Sequence, residues 1–376
     1  MTINYGKQTI DNTDIKSVLR VLKKDYLTQG PEIKKFEKKL KEYFGFKFCS
    51  VVSSGSSALY IAAKSLGWKK GDHIITTANT FLATASCILH CGANPQFVDI
   101  NRKTFTLDID KTEERIKKLK GKVKAIIAVD YAGHPCDWES LKFLAKKYDL
   151  ILINDNCHAL GAKINNNKKY ASKYADIATH SYHPVKNITT GEGGSVFCNN
   201  YELYKKILTF RNNGMIKKKD APWEYRVKEL SMNFRISDIQ CALGISQLKK
   251  LDNFVSKRNQ IAKHYNRIFK DKAYISVPFK NKNVYHSYHL YPLLIDFNKT
   301  KINKKKLFLK LKKKGINLQV HYVPLYYHKL FSKFTNKNKL PITEQFYKRE
   351  ISLPIYPDLK IKELKKVARE ILNLIY

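Results

Sequence analysis

Three short stretches put reactive side chains where the chain turns. VVSSGSSAL carries Gly55 and Ser56 among further serines, where an apolar run gives way to a helical one. Free N–H groups at a helix start, beside small hydroxylated residues, make a phosphate cradle. Glycine lets a ligand approach the backbone closely. The same stretch also reads as an ordinary capped helix, because serine is a good N-cap. LILINDNCHAL ends an apolar strand on Asp155, with His158 close behind. Ligands of α/β sheets gather outside the carboxyl ends of the strands. Asp155 is therefore placed to pair with a buried cation, or to cap the next turn. His158 by itself reads as a structural histidine. HSYHPVKNITTGEGGSVF offers Ser181 as a phosphate donor and Lys186 as a Schiff-base lysine. Alone, Lys186 is one of 70 Lys and Arg side chains and reads as a surface charge. Together the three stretches hold what pyridoxal phosphate needs: a grip on its phosphate, on its ring nitrogen and on its aldehyde.

The elements around them alternate. Residues 13–24 have helical periodicity, and a second helix runs from Gly30-Pro31 to Gly45. Strands follow in VVSSG, HIITTA, PQFVDI, KVKAIIAVD and LILIND, separated by helical segments, one of them at 109–120. DIATHSY and GGSVFCN read as further strands. This order predicts a three-layer α/β/α domain with a mostly parallel sheet. The stretch NNGMIKKKDAPWEYR reads as a long polar loop. From ISDIQ onward the 3.6-residue periodicity predicts one long helix, or two nearly continuous ones. YHLYPLLID, NLQVHY and a final amphipathic helix complete a smaller α+β domain. We divide the chain into an N-terminal segment with the large domain at 1–250, and a small domain with its linking helix at 251–376. No internal repeat, Gly-x-Gly-x-x-Gly fingerprint or P-loop is present, so dinucleotide and nucleotide-hydrolase readings lack support.

The formal net charge is +38 over 376 residues, which by itself suggests nucleic acid or an anionic membrane. The lysines are spread along the whole chain rather than gathered on one segment. We therefore expect neither partner. The start of the chain lacks the basic and apolar segments of a signal peptide. No apolar run approaches a membrane span. The expectation is a cytoplasmic protein. Seven cysteines at wide spacing argue against a disulfide framework. No metal site is expected. Cys87 and Cys91 could meet on a helix, but no second ligand pair stands nearby.

SSGSSAL, DNCHALGA, SYHPVKNITTGEGG, FRNNGM and MNFRISDIQCALGISQLKKL together resemble the DegT/DnrJ/EryC1/StrS sugar aminotransferases, over nearly the whole chain. These are fold-type I pyridoxal-phosphate enzymes. The resemblance implies that Lys186 bonds the cofactor and moves the proton, and that Asp155 partners its ring nitrogen. It implies that His158 contacts the ring or its hydroxyl, and that Phe81 stacks on the ring. Gly55, Ser56 and Ser181 become phosphate ligands. Asn233 reaches the phosphate from a second subunit, so a homodimer with shared active sites is implied. Members that dehydrate sugars carry histidine in place of this lysine. Many relatives have histidine where this chain has Asn213. VDYAGHP, RNNGMIKK and LQVHYVPLYYH are similar to the subgroup that serves pseudaminic acid synthesis. That implies transfer from L-glutamate to C4 of a UDP-linked 4-keto-6-deoxy-N-acetylhexosamine. His321 and Tyr322 are candidates for the substrate mouth. Arg235, with Arg226, Lys228 and the lysines at 217–219, is a candidate for the anionic parts of the substrates. Three readings stay open beside this one. The chain could aminate another nucleotide 4-keto sugar of the bacillosamine or perosamine type. It could be a dehydratase or regulator on the same fold. It could be a non-catalytic α/β protein that binds anionic polymers.

Overall fold

The computed structural model describes residues 2–218, 220–221 and 223–376. Seven strands form the central sheet: β1 (Phe48–Val52), β2 (His73–Thr77), β3 (Asn94–Val98), β4 (Val123–Val129), β5 (Ile151–Asp155), β6 (Ile177–Ser181) and β7 (Gly194–Cys198). Their spatial order is β1-β7-β6-β5-β4-β2-β3. The pairs among β2 to β6 are parallel, while β7 runs antiparallel to both β6 and β1. The connection between β6 and β7 explains the reversal. It contains no crossover helix, and parallel neighbours need one. This is the architecture read from the sequence, a three-layer α/β/α domain with a mostly parallel sheet.

The strands are apolar almost throughout because both faces are covered. Ala125 and Ile127 enter one core cluster, and Ile126 and Ala128 enter the other. That alternation is the two-residue period of a strand. On the first face lie α3 (Gly55–Ser65) and α4 (Leu82–His90), packed through Ile61, Ala62, Cys87 and Ile88. On the second lie α2 (Pro31–Phe44) and the helices Trp138–Lys147 and Asp238–Leu248. Pro31 opens α2 at its first helical position, and Gly45 closes it at φ 82°. The Asp238 carboxylate caps α2 from afar, accepting from Gly30 N at 2.8 Å and Glu32 N at 2.9 Å.

The expected helical stretch is two nearly continuous helices, Asp238–Leu248 and Leu251–Phe269, with a break at Lys249 and Lys250. The small domain pairs the short strand Ile275–Ser276 with β8 (Tyr291–Ile295), and β8 with β9 (Glu350–Leu353), all antiparallel. Helices Lys304–Lys313 and Ile361–Ile375 close a separate core around Tyr265, Leu293, Leu311, Val367 and Ile371. Ile3 joins this core. It pairs with Ile316 as a parallel bridge, donating to Gly315 O and accepting from Asn317 N, both at 2.8 Å. NLQVHY is not a strand. Gln319 makes a single bridge to Ser352, and the chain then leaves the sheet edge. The expected polar loop is instead partly a hairpin, Met215–Lys217 against Tyr225–Val227. Lys219, one of the candidate cations, lies outside the described residues.

Candidate active site

The site is assembled at the carboxyl ends of β1, β5 and β6. The Ser54 side chain caps α3 by accepting from Ser57 N at 3.0 Å. The two preceding N–H groups, of Gly55 and Ser56, are left uncapped by that bond. Gly55 is needed for contact with β6. A Cβ there would stand 2.6 Å from the Ser181 Cβ. The helix start and the Ser181 hydroxyl thus face the same space. Gly194 has a similar role on the neighbouring strand, where a Cβ would lie 2.4 Å from Ser54 O.

Asp155 ends β5 and is only 4 % exposed. Its Oδ2 accepts from Thr84 Oγ1 at 2.7 Å, and its Oδ1 accepts from Cys157 N at 3.3 Å. Thr84 in turn lies 2.8 Å from Thr80, which precedes α4. The β6–β7 connection presents Lys186. Lys186 N donates to His183 O at 2.9 Å, and Thr189 Oγ1 donates to Tyr182 O at 2.9 Å. Gly191 completes the return at φ 81°. Burial disfavours the Lys186 ammonium and lowers its pKa, with Cys157 and Asp155 pulling in the opposite direction. The amine is therefore more available as a base than that of a surface lysine.

Two histidines and a tyrosine close the far wall. His158 Nδ1 accepts from Ala132 N at 3.3 Å, and its Nε2 lies 2.8 Å from Tyr322 Oη. Burial and the Lys186 charge hold His158 well below the usual histidine range, hence neutral. Its one ring hydrogen is then on Nε2 and donates to Tyr322. Tyr322 keeps its own hydrogen for a ligand. Both His158 nitrogens are committed, so its ring face is what remains for a ligand. Phe81 stands half exposed before α4, its ring 6.1 Å from that of Tyr322.

One cavity of about 740 Å³ joins these groups. Gly55, Ser56, Phe81, Asp155 and His158 line it, as do Ser181, Lys186, His321 and Tyr322. Two expected site residues are elsewhere. Arg235 lines a different cavity, of about 640 Å³, where its guanidinium donates to Asn212 Oδ1. Asn233 is exposed, and its Oδ1 accepts from Arg235 N at 3.1 Å. Arg226 and Lys228 are exposed on or beside the hairpin. Asn213 adopts φ 55°, a left-handed turn that asparagine tolerates well. Sequence reasoning missed Thr84, Tyr5 and His289, which also line or back the main cavity. For Thr84 a signal existed: TANTFLAT puts a threonine in the first turn of the helix that follows a strand end.

Residues 8–372 match the DegT/DnrJ/EryC1/StrS aminotransferase family. The chain belongs to this family. A Campylobacter jejuni relative named UDP-4-amino-4,6-dideoxy-N-acetyl-beta-L-altrosamine transaminase is 39 % identical over 99 % of this chain and 97 % of its own. The structure of Helicobacter pylori PseC, an aminotransferase involved in the biosynthesis of pseudoaminic acid, superposes with a TM-score of 0.93 at 37 % identity. It covers 100 % of this chain and 99 % of that one. Bacillus subtilis NtdA, solved with bound cofactor PMP, is 29 % identical with a TM-score of 0.86, covering 97 % of this chain and 82 % of that one. As a member of the DegT/DnrJ/EryC1/StrS family, the protein is an aminotransferase. No helix among the described residues is long and apolar enough to cross a membrane.

Proposed function

We infer that this family member is a cytoplasmic pyridoxal-phosphate enzyme that aminates a nucleotide sugar. It moves the amino group of L-glutamate to C4 of a UDP-linked 4-keto-6-deoxy-N-acetylhexosamine. The product is UDP-4-amino-4,6-dideoxy-N-acetyl-β-L-altrosamine, as the names of the Campylobacter and Helicobacter relatives support. One observation carries the reading: Lys186, Asp155 and the uncapped start of α3 line a single cavity.

The residues present fit the cofactor. The Gly55 and Ser56 N–H groups, with the Ser56 and Ser181 hydroxyls, would hold its phosphate. The space they leave is one that a Cβ on Gly55 would invade. Asp155 would hold the ring nitrogen, with its carboxylate aimed by Thr84 and Cys157 N. Lys186 would bond the aldehyde carbon. Phe81 and the His158 ring would flank the ring, and Tyr322 has a hydrogen to give to an oxygen on it. When bound, the group supplies an electron sink for the carbon that exchanges its proton. Lys186 takes a proton from the glutamate Cα, and later returns one to C4 of the sugar. The lowered Lys186 pKa suits that exchange.

A second copy of the chain belongs to the same reading. Glutamate carries two carboxylates and the sugar nucleotide a diphosphate. Among the described residues, Lys186 is the one lysine or arginine in the cavity wall. Arg226, Lys228, Arg235 and Asn233 lie outside that wall, among Trp223, Val227, Leu230 and Met232, which are 60–91 % exposed. A homodimer that covers this apolar surface would carry those cations and Asn233 to the neighbouring cavity.

Borohydride reduction of the cofactor-loaded protein, followed by peptide mapping, tests the core of the reading. A phosphopyridoxyl adduct on Lys186 is expected, and its absence would overturn it. Glutamate-dependent assays with UDP- and GDP-linked 4-keto sugars then test the substrate. Preference for a GDP sugar would replace the altrosamine product with a perosamine-type one.

A further inference from the structure

His321 lines the cavity with a ring whose polarity is decided behind it. Its Nδ1 lies 2.8 Å from Ser352 Oγ, and Ser352 Oγ lies 2.5 Å from Glu350 Oε1. Glu350 Oε2 also accepts the His321 backbone N–H at 3.1 Å. Tyr131 donates its hydroxyl to the His321 carbonyl, so the peptide is held from both sides. Glu350 and Ser352 are two apart on β9 and therefore share a face. Both are fully buried, and His321 is 7 % exposed.

The direction of these bonds follows from counting hydrogens. A carboxylate only accepts, so the Ser352 hydrogen goes to Glu350. Ser352 must then accept from His321 Nδ1–H. Burial, with the Lys186 charge beside it, depresses the His321 pKa to about 3, so the ring is neutral. With its hydrogen on Nδ1, Nε2 is a bare acceptor. Among the described residues nothing in the protein donates to it. Burial raises the Glu350 pKa to about 7, with the Lys304 charge opposing the rise. Alkaline pH favours the carboxylate form of Glu350.

We propose that Glu350, acting through Ser352, fixes His321 as a hydrogen-bond acceptor for a hydroxyl of the sugar substrate. Glu350 and Ser352 are then positioning residues for sugar selectivity. The neighbouring Tyr322 is a donor, so consecutive residues offer opposite polarities to the ligand. The proposal rests on the sugar-aminotransferase reading.

Glu350→Gln keeps the shape but reverses the relay. Its amide donates to Ser352, which must then donate to Nδ1, placing the histidine hydrogen on Nε2. The test is a long-range ¹H–¹⁵N correlation on ¹⁵N-histidine holoenzyme at pH 8.5, with the His321 signal assigned by its loss in His321→Gln. The expected result is the Nδ1–H tautomer in the wild type and the Nε2–H tautomer in Glu350→Gln. The same tautomer in both overturns the proposal. In single-turnover kinetics, Glu350→Gln and Ser352→Ala are expected to lower kcat/KM for the 4-keto sugar by about 10–100-fold. The glutamate half-reaction should stay within about twofold, because the relay addresses the sugar alone. Equal losses in both half-reactions, or no loss in either, overturn the proposal. Ser352→Ala carries this test if Glu350→Gln does not fold. If the tautomer switches but the wild type turns over no 4-keto sugar, the functional reading fails and the sugar assignment of His321 falls with it.

Discussion

Asp155 meets a hydroxyl from Thr84 at 2.7 Å, and that bond fixes which way its carboxylate faces. A hydrogen bond to a charged group contributes about 1.5–3 kcal/mol. Thr84→Val keeps the shape and removes the donor. We expect a fall of about 10–100-fold in the rate of the glutamate half-reaction, measured in single turnover. A wild-type rate would show that Asp155 is aimed by other groups. His180, on β6, is a different case. It is fully buried, and among the described residues neither ring nitrogen has a hydrogen-bond partner. Its ring lies edge-to-face on Phe44 at 4.3 Å. Burial depresses its pKa from 6.5 to about 3. The unfolded chain therefore binds a proton below pH 6.5 that the folded protein refuses, and stability falls as pH drops from there toward 3. His180→Leu is expected to stabilise the protein by about 1–3 kcal/mol at pH 8, with a gain that grows in acid. Urea melts at pH 8 and pH 5 check it, and a gain that shrinks at pH 5 would contradict it. Lys186, Asp155 and Ser181 stand out in the sequence only as a set, since each alone also reads as a surface charge or a cap. The neutral histidines were not, since their state depends on burial that sequence order does not reveal.

Turns between elements hold most of the site, and most of them are written in glycine and serine. SSGSS and TTGEGG announced a helix start and a sharp return, and both form where expected. Gly55→Ala tests how tightly the start of α3 sits on β6. The added Cβ would meet Ser181 at 2.6 Å, so the helix must shift. Overpacking of this kind costs about 1–3 kcal/mol. Denaturant melts should show that loss, and titration of the apo-protein should show pyridoxal phosphate bound at least about tenfold more weakly. Unchanged affinity would mean that the phosphate is held elsewhere. Three elements escaped the sequence reading. NLQVHY alternates like a strand, yet only Gln319 pairs, because the edge of β9 is used for a single residue. The reversal of β7 depends on what its connection lacks, not on its own composition. The hairpin at 215–227 is too polar at its centre to advertise strands.

The whole molecule carries +38 charges, and that excess says little about its chemistry. Many lysines sit on exposed helix faces, where single ion pairs contribute little. The apolar surface around Trp223 and Leu230 is a more specific signal. It predicts that Lys186→Ala and Arg235→Ala chains are each inactive alone but complement each other when mixed. Random pairing leaves about one quarter of the sites intact, since half the dimers are mixed and each has one good site. Activity no greater than that of the parents would place Arg235 outside the site. The fold was legible across the large domain because its helices and strands alternate with clear periods. The route of Ile3 was not, because a parallel bridge to Ile316 leaves no mark in either segment. That bridge also sets an order of events. Ile3 is synthesised long before Gly315 and Asn317, which must be made before it can dock. Tyr5, on the cavity wall, waits longer still, because its carbonyl is held by the Ile355 N–H. Since domains tend to fold as they emerge, the large sheet can form on the ribosome while the pocket beside it still lacks one wall. A nascent chain can thus be well folded and unable to enclose a substrate until an early segment and a much later one meet.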